Sequence, residues 1–319
     1  MTSISPSKIE RLMAIQVTLH VTLEESADGV IYDALVRGLI TLLHQEEACR
    51  NGRQQSAVRN MLTTTHQLWM LAEWLPTTVP TKLAKHYQPY FSKLHERLVA
   101  LDELDQIITH LLHYGHTQDR RMNVAGTLAQ LDAQRLASRN RLFDYFDGDK
   151  YHTLINGLID WLEQQTPLPT DSSTVSLRMQ LPLWLVSAVA QLVRYDALWQ
   201  AGVPMPYDEL LTALSRYRFL LQLLIPLAGE SQLPPHSPIM DELLASCVPV
   251  CQTIAMRSKL VHLPVSMLEE AQVNTLKQIR QQVRIEQDRR ETEFIQAWQA
   301  VNFRQLYHDL FLHLAHLLA

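Results

Sequence analysis

The sequence predicts an all-α protein: two four-helix bundles related by a pseudo-two-fold through internal duplication, with a short two-stranded β pair as the one candidate exception. Three observations carry this. Only 9 of the 319 residues are glycine, well under the roughly 7% of average chains, which disfavours turn-dense β folds. Apolar residues recur at helical spacing over most of the length. The order of elements after residue 182 also repeats the order before it, as internal duplication would produce.

The elements follow in chain order. Ile15, Val17, Leu19, Val21 and Leu23 alternate with polar residues, as do Val175, Leu177, Met179 and Leu181. Period-two alternation with β-branched residues reads as a half-buried strand. Two such runs are expected to pair, because a single strand cannot satisfy its own backbone; extended leaders lying over helices are the alternative. Val30, Ile31, Leu35, Leu39 and Leu42 mark a helix over 26–49, and a second over 55–75 ends before Pro76. A third has Pro80 in its first turn, where a missing N–H costs nothing, and runs through Pro89 to Gly115. A fourth starts near Asn123, breaks at Asp147-Gly148-Asp149 and resumes as YHTLINGLIDWL. Residues 166–174, with two prolines among polar turn formers, are the clearest linker.

Beyond the linker, helices are expected over 183–201, 206–228, 237–262 and 265–318. YDELLTALSRYRFLLQLLIPL lies against VRNMLTTTHQLWMLAEWLP, and NFRQLYHDLFLHL against KYHTLINGLIDWL, both at an offset of about 150 residues. The expected organisation is an N-terminal segment 1–24, a first bundle 25–165, a linker 166–182 and a second bundle 183–319.

Composition narrows function mainly by exclusion. Cys49, Cys247 and Cys251 are too few and too oddly numbered for a disulfide framework, and Cys247 and Cys251 lack the second pair that a metal site needs. They are expected to be reduced thiols. No N-terminal basic-then-apolar signal and no run of about 18 apolar residues occurs, so no membrane partner is expected and the compartment is cytoplasmic. A net charge of −5 and the absence of recognition motifs count against nucleic acid. There is no phosphate-cradling glycine loop, nucleophile elbow or zinc-protease helix, so no enzyme and no cofactor is expected. His110, His113 and His116, and His308, His313 and His316, sit near helix C-termini, where capping is favoured over metal binding.

On the second helix stands Arg59-Asn60-Met61-Leu62-Thr63-Thr64-Thr65-His66-Gln67-Leu68-Trp69. On its counterpart stand Asp208, Leu211 and Ser215, then Arg216 and Arg218 before Phe219. Leu98 to Asp105 on the third helix reads LVALDELD, and its counterpart LASCVP begins at Leu244. These stretches, with the duplicated order, resemble the CHAD family (conserved histidine α-helical domain) over residues 26–319. The family's second helix reads His-Gln-x-Arg-Val-x-x-Arg-Arg-x-Arg. Here its histidine becomes Arg59, its first arginine Leu62, its double arginine His66 and Gln67, and its last arginine Trp69. In the second copy Asp208, Leu211 and Ser215 stand for histidine, arginine and lysine, while the Arg-x-Arg-aromatic ending survives. Asp102 inverts the sign of an arginine on the third helix, and Asp105 matches an acid.

The resemblance implies a non-enzymatic protein whose groove between bundles binds inorganic polyphosphate or another phosphate-rich anion, with polyphosphate granules as a place of association. A polyanion needs a line of cations, and arginine forks grip phosphate oxygens in pairs. The candidate residues are Arg59, His66, Arg135, Arg139, Arg216, Arg218, Lys277, Arg280 and Arg284. Arg135 and Arg139 are four apart, and Lys277, Arg280 and Arg284 follow at i, i+3 and i+7, so each set shares a helix face. The competing reading is a solvated face in which acids such as Glu286, Asp288 and Glu291 neutralise the basic residues. The lost cations favour a CHAD-derived scaffold or protein-interaction module as the alternative function.

Overall fold

Where the computed structural model describes it, the N-terminal alternating run is helical. The structure describes residues 7–18, 27–52, 56–74, 81–117, 125–164, 177–228, 237–263 and 270–318. Among these it has eleven helices and no strand. Helix α1 (Lys8–Thr18) opens with a reciprocal capping box: the Glu10 amide donates to Ser7 Oγ (3.2 Å) and the Ser7 amide to Glu10 Oε2 (2.6 Å). That cap, with Leu12 and Ile15 buried three residues apart, outweighs the short alternation. The rest of that run, 19–23, lies outside the described residues. The second strand expectation fails likewise, because Leu177 to Leu181 form the first turns of α7; positions 175–176 and the linker at 166–174 are outside the described residues.

The other helices are α2 (Ala27–Asn51), α3 (Ala57–Trp74), α4 (Thr81–Thr117), α5 (Ala125–Phe146), α6 (Asp149–Gln164), α7 (Leu177–Gln200), α8 (Tyr207–Ala228), α9 (Ser237–Val261), α10 (Glu270–Gln299) and α11 (Phe303–Leu318). Gly202, at φ 77°, ends α7. Its amide donates to Trp199 O (2.9 Å) and the Val203 amide to Leu198 O (3.0 Å), a Schellman closure that satisfies two orphan carbonyls. The single helix expected over 265–318 is two: Asn302 caps α11 through a bond from the Gln305 amide to its Oδ1 (3.1 Å). Helix α9 is long and apolar enough to cross a membrane by length and composition; it packs on α10 and buries Leu243, Cys247 and Val250.

The chain forms two compact units that interleave in sequence. The first comprises Met1–Ala100, Arg139–Leu183 and Leu223–Ser231; the second comprises Leu101–Ser138, Trp184–Gln222 and Gln232–Ala319. In the first unit α1 lies on α2 and α6, and α2 pairs with α3. Arg11 clamps α1 to α6 through Glu163 (2.7 Å) and Asp160 (2.5 Å). Exposed ion pairs contribute about 1 kcal/mol or less. The docking therefore rests on burying Leu12 and Ile15, about 1.5–3 kcal/mol each. In the second unit the end of α4 and the start of α5 share one core with the end of α9 and the start of α10, built on Leu104, Ile107, Leu131, Leu260, Ile279 and Val283.

Helix α6 approaches α4 through Gly157, where an added Cβ would overlap the Tyr87 hydroxyl. Gly157→Ala is expected to cost about 1–3 kcal/mol through overpacking, more than the roughly 1 kcal/mol that alanine gains in a helix. Adding Tyr87→Phe should recover part of the loss, since the ring would still sit 3.1 Å from the new carbon. Urea midpoints of the single and double variants check this; an unchanged midpoint in Gly157→Ala would contradict the close approach.

Candidate functional site

The nine candidate residues divide between the units. Arg59, His66 and Arg139 belong to the first; Arg135, Arg216, Arg218, Lys277, Arg280 and Arg284 belong to the second.

In the first unit, Arg59 is exposed in the opening turn of α3, and His66 lies two turns further along. The His66 ring is half-buried beside Trp69 (centroids 6.0 Å apart) and His95 of α4 (5.8 Å), and Trp69 and His95 are 5.9 Å apart. Burial, aided by the neighbouring His95, holds His66 down at about 4, and burial lowers His95 as well. Both imidazoles are therefore neutral near pH 7. Trp69, at the position matching a family arginine, joins a packed aromatic cluster. Its Nε1 and the Nδ1 of His95 are buried with no hydrogen-bond partner. Arg139 lies 5.1 Å from the Phe143 ring centroid, a cation–π distance.

A partly buried polar network in this unit escapes pattern reading. The Tyr151 hydroxyl donates to Glu46 Oε2 (2.7 Å), Arg50 Nε donates to Glu46 Oε1 (2.9 Å), and Arg50 Nη2 meets Asp147 (2.8 Å). It pins the α5–α6 corner to the end of α2. Only the Glu46–Arg50 spacing of four was visible in sequence.

In the second unit several cations already have partners. Arg135 pairs with Asp105 (3.5 Å) and Asp132 (3.3 Å), and Arg218 pairs with Asp241 (3.1 Å). Arg280 donates to the carbonyl oxygens of Leu260 (2.7 and 2.9 Å) and Val261 (3.2 Å), closing the C-terminal end of α9. Lys277 and Arg284 are exposed, and Arg216 is half-buried. Asp102 is buried and accepts the Gln106 amide, while Glu103 meets Lys259 (3.2 Å). Further along α10, Arg289 and Arg290 pair with Glu286 and Glu293. Among the described residues no group of three or more His, Cys, Asp or Glu side chains is placed to hold a metal. His308 reaches Asp309 at 3.6 Å, and the side chains of His113, His116 and His316 lie outside the described residues.

Eleven helices among the described residues, carrying arginines on acids, on aromatic faces and at a helix end, define an all-α protein. The model of the family described as CHAD domain matches residues 34–239, well over half of the chain, and the protein belongs to that family. Among solved structures, the CHAD domain from the plant Ricinus communis is similar at TM-score 0.63 and 15% identity, covering 92% of this chain and 94% of that one. PptA from Streptomyces chartreusis is similar at TM-score 0.62 and 12% identity, covering 86% of this chain and 100% of that one. At these identities the likeness is one of fold. A search of curated proteins finds no match to the chain.

Proposed function

We propose that this CHAD protein acts by binding, without catalysis, as a scaffold or protein-interaction module in which the family's polyphosphate capture is vestigial. The observation that carries the reading is the α3 face, where positions matching phosphate-gripping arginines hold the neutral, packed His66 and Trp69. Arg135 and Arg218 are partly neutralised by acids, and Arg280 serves a helix end. A neutral imidazole and an indole offer a phosphate chain no Coulomb attraction. A cytoplasmic setting is part of the proposal, supported by three free cysteines.

Internal duplication belongs to the same reading. In the first unit Phe146 and Tyr151 pack as tilted rings at a helix corner (5.2 Å), and Tyr151 donates to Glu46 of α2. In the second, Trp298 and Phe303 pack as tilted rings at the matching corner (4.4 Å), and Trp298 Nε1 donates to Asp196 of α7 (3.2 Å). The same corner, tied to an acid on the first long helix of each half, supports common descent of the halves.

One observation favours retained anion binding as a second reading: Arg139, Lys277 and Arg284 are exposed and carry no ion pair among the described residues. Titration with long-chain polyphosphate at low and moderate salt separates the two, with the Arg216→Ala/Arg218→Ala double variant alongside. The expected result is weak binding at low salt that vanishes near 0.15 M, a Debye length of about 8 Å, with little change in the variant. Saturable binding that survives moderate salt and is lost in the variant would overturn the proposal, since built phosphate sites have a defined salt slope.

A further inference from the structure

Two of the three cysteines meet on one helix. Cys247 and Cys251 are four residues apart on α9 and so share a face. Cys247 is fully buried, and its thiol donates to the Tyr207 carbonyl oxygen (3.9 Å). Cys251 is half-buried one helical turn on from Cys247, and Asp208 is exposed next to Tyr207. Tyr207 and Asp208 form the first turn of α8, so the sulfur pair lies where α9 passes the N-terminal end of that helix. Pro249 stands between the two thiols inside α9 and removes the amide that would bond the Ala245 carbonyl. The backbone between the sulfurs therefore lacks one rung of its ladder and can adjust at low cost.

We propose that Cys247 and Cys251 form a two-thiolate site for a soft monovalent metal ion, with Cu(I) as the representative. Thiolate sulfur selects soft ions over hard ones. The ligand number selects further: no third His, Cys, Asp or Glu completes a metal-holding group among the described residues. A tetrahedral ion such as Zn(II) is left two ligands short, whereas Cu(I) is content with two.

The step balances simply. Two S–H bonds break, two S–Cu bonds form and two protons leave, with copper remaining Cu(I) and no sulfur oxidised. The protons leave to solvent on the side where Cys251 is partly exposed. Half-buried Cys251 is the sulfur the ion reaches first, and Cys247 closes the site from the core. Cys49 belongs to the other unit, where burial raises its thiol to about 11, and it serves as an internal control.

The test uses the full chain under anaerobic, reducing conditions, titrated with Cu(I) against a chromophoric Cu(I) chelator. The expected result is one equivalent withdrawn from the chelator by the parent protein and by Cys49→Ser, and none by Cys251→Ser or Cys247→Ala. Circular dichroism melts show whether each variant is folded. Should Cys247→Ala fail to fold, half-buried Cys251→Ser decides alone. The proposal is overturned if the chelator keeps its copper in the parent, if binding survives Cys251→Ser, or if Cys49→Ser abolishes it. One equivalent of Zn(II) taken from a zinc indicator would overturn the two-coordinate assignment. None of these outcomes bears on polyphosphate, so this inference and the proposed function fail separately.

Discussion

Trp298→Ala is expected to cost about 3–5 kcal/mol of stability, as truncation of a fully buried tryptophan does. Trp298 is among the largest fully buried side chains, with Phe303 at 4.4 Å and Phe294 at 5.8 Å. It holds the corner at which α10 stops and α11 starts, and its Nε1 bond to Asp196 ties that corner to α7. Trp298→Phe keeps most of the ring packing and loses only the hydrogen bond, so about 1 kcal/mol is expected. Chemical denaturation of both variants checks the ranking. If phenylalanine costs as much as alanine, the polar tie and not the aromatic packing holds the corner.

The second large effect is a loss of stability in mild acid. His66 is lowered from 6.5 to about 4 in the folded protein. Between those values the unfolded chain binds the proton and the folded chain resists it, so stability rises with pH across that window. The contribution is complete above about 6.5 and is lost progressively as pH falls toward 4, by about 3 kcal/mol in all. His95, lowered in the same direction by burial, adds to the slope. Carboxylates also titrate in acid, so the diagnostic quantity is a difference: His66→Phe should lose less stability than the parent between pH 7 and pH 4.5. Equal losses in both proteins, measured by urea midpoint, would show that the cluster is not the acid-sensitive element.

Much of the fold was legible because its signals are local. Apolar spacing places α2, α3, α8 and α9 within a few residues of their observed ends, and Asp147-Gly148 marks the α5–α6 break. Two of the three errors also came from local signals, weighed wrongly. Ser7 and Glu10 announce a helix start that the alternation after Ile15 masked. Asn302 is a good helix cap, and the matching break in the first half already pointed to it. The site was less legible because charge has meaning only with its partners. Spacing set Lys277, Arg280 and Arg284 on one face of α10, but no periodicity could show that Arg280 reaches the end of α9. Arg135 likewise meets Asp105 of α4, 30 positions earlier in the chain, only because two helices run side by side. The burial that neutralises His66 depends on His95, which is on another helix.

The interleaving of the two units has a consequence for the dissection of the chain. Helices α4 and α5 leave one unit for the other partway along, after Ala100 and before Arg139, with no break in either helix at the crossing. The hairpin tip they form, although encoded in the first half, completes the core of the second unit with α9 and α10. A fragment ending in the 165–176 segment would carry Leu104, Ile107 and Leu131 with nothing from α9 or α10 to cover them. The halves of the gene are thus not the halves of the protein, and a deletion made at the sequence boundary would damage both.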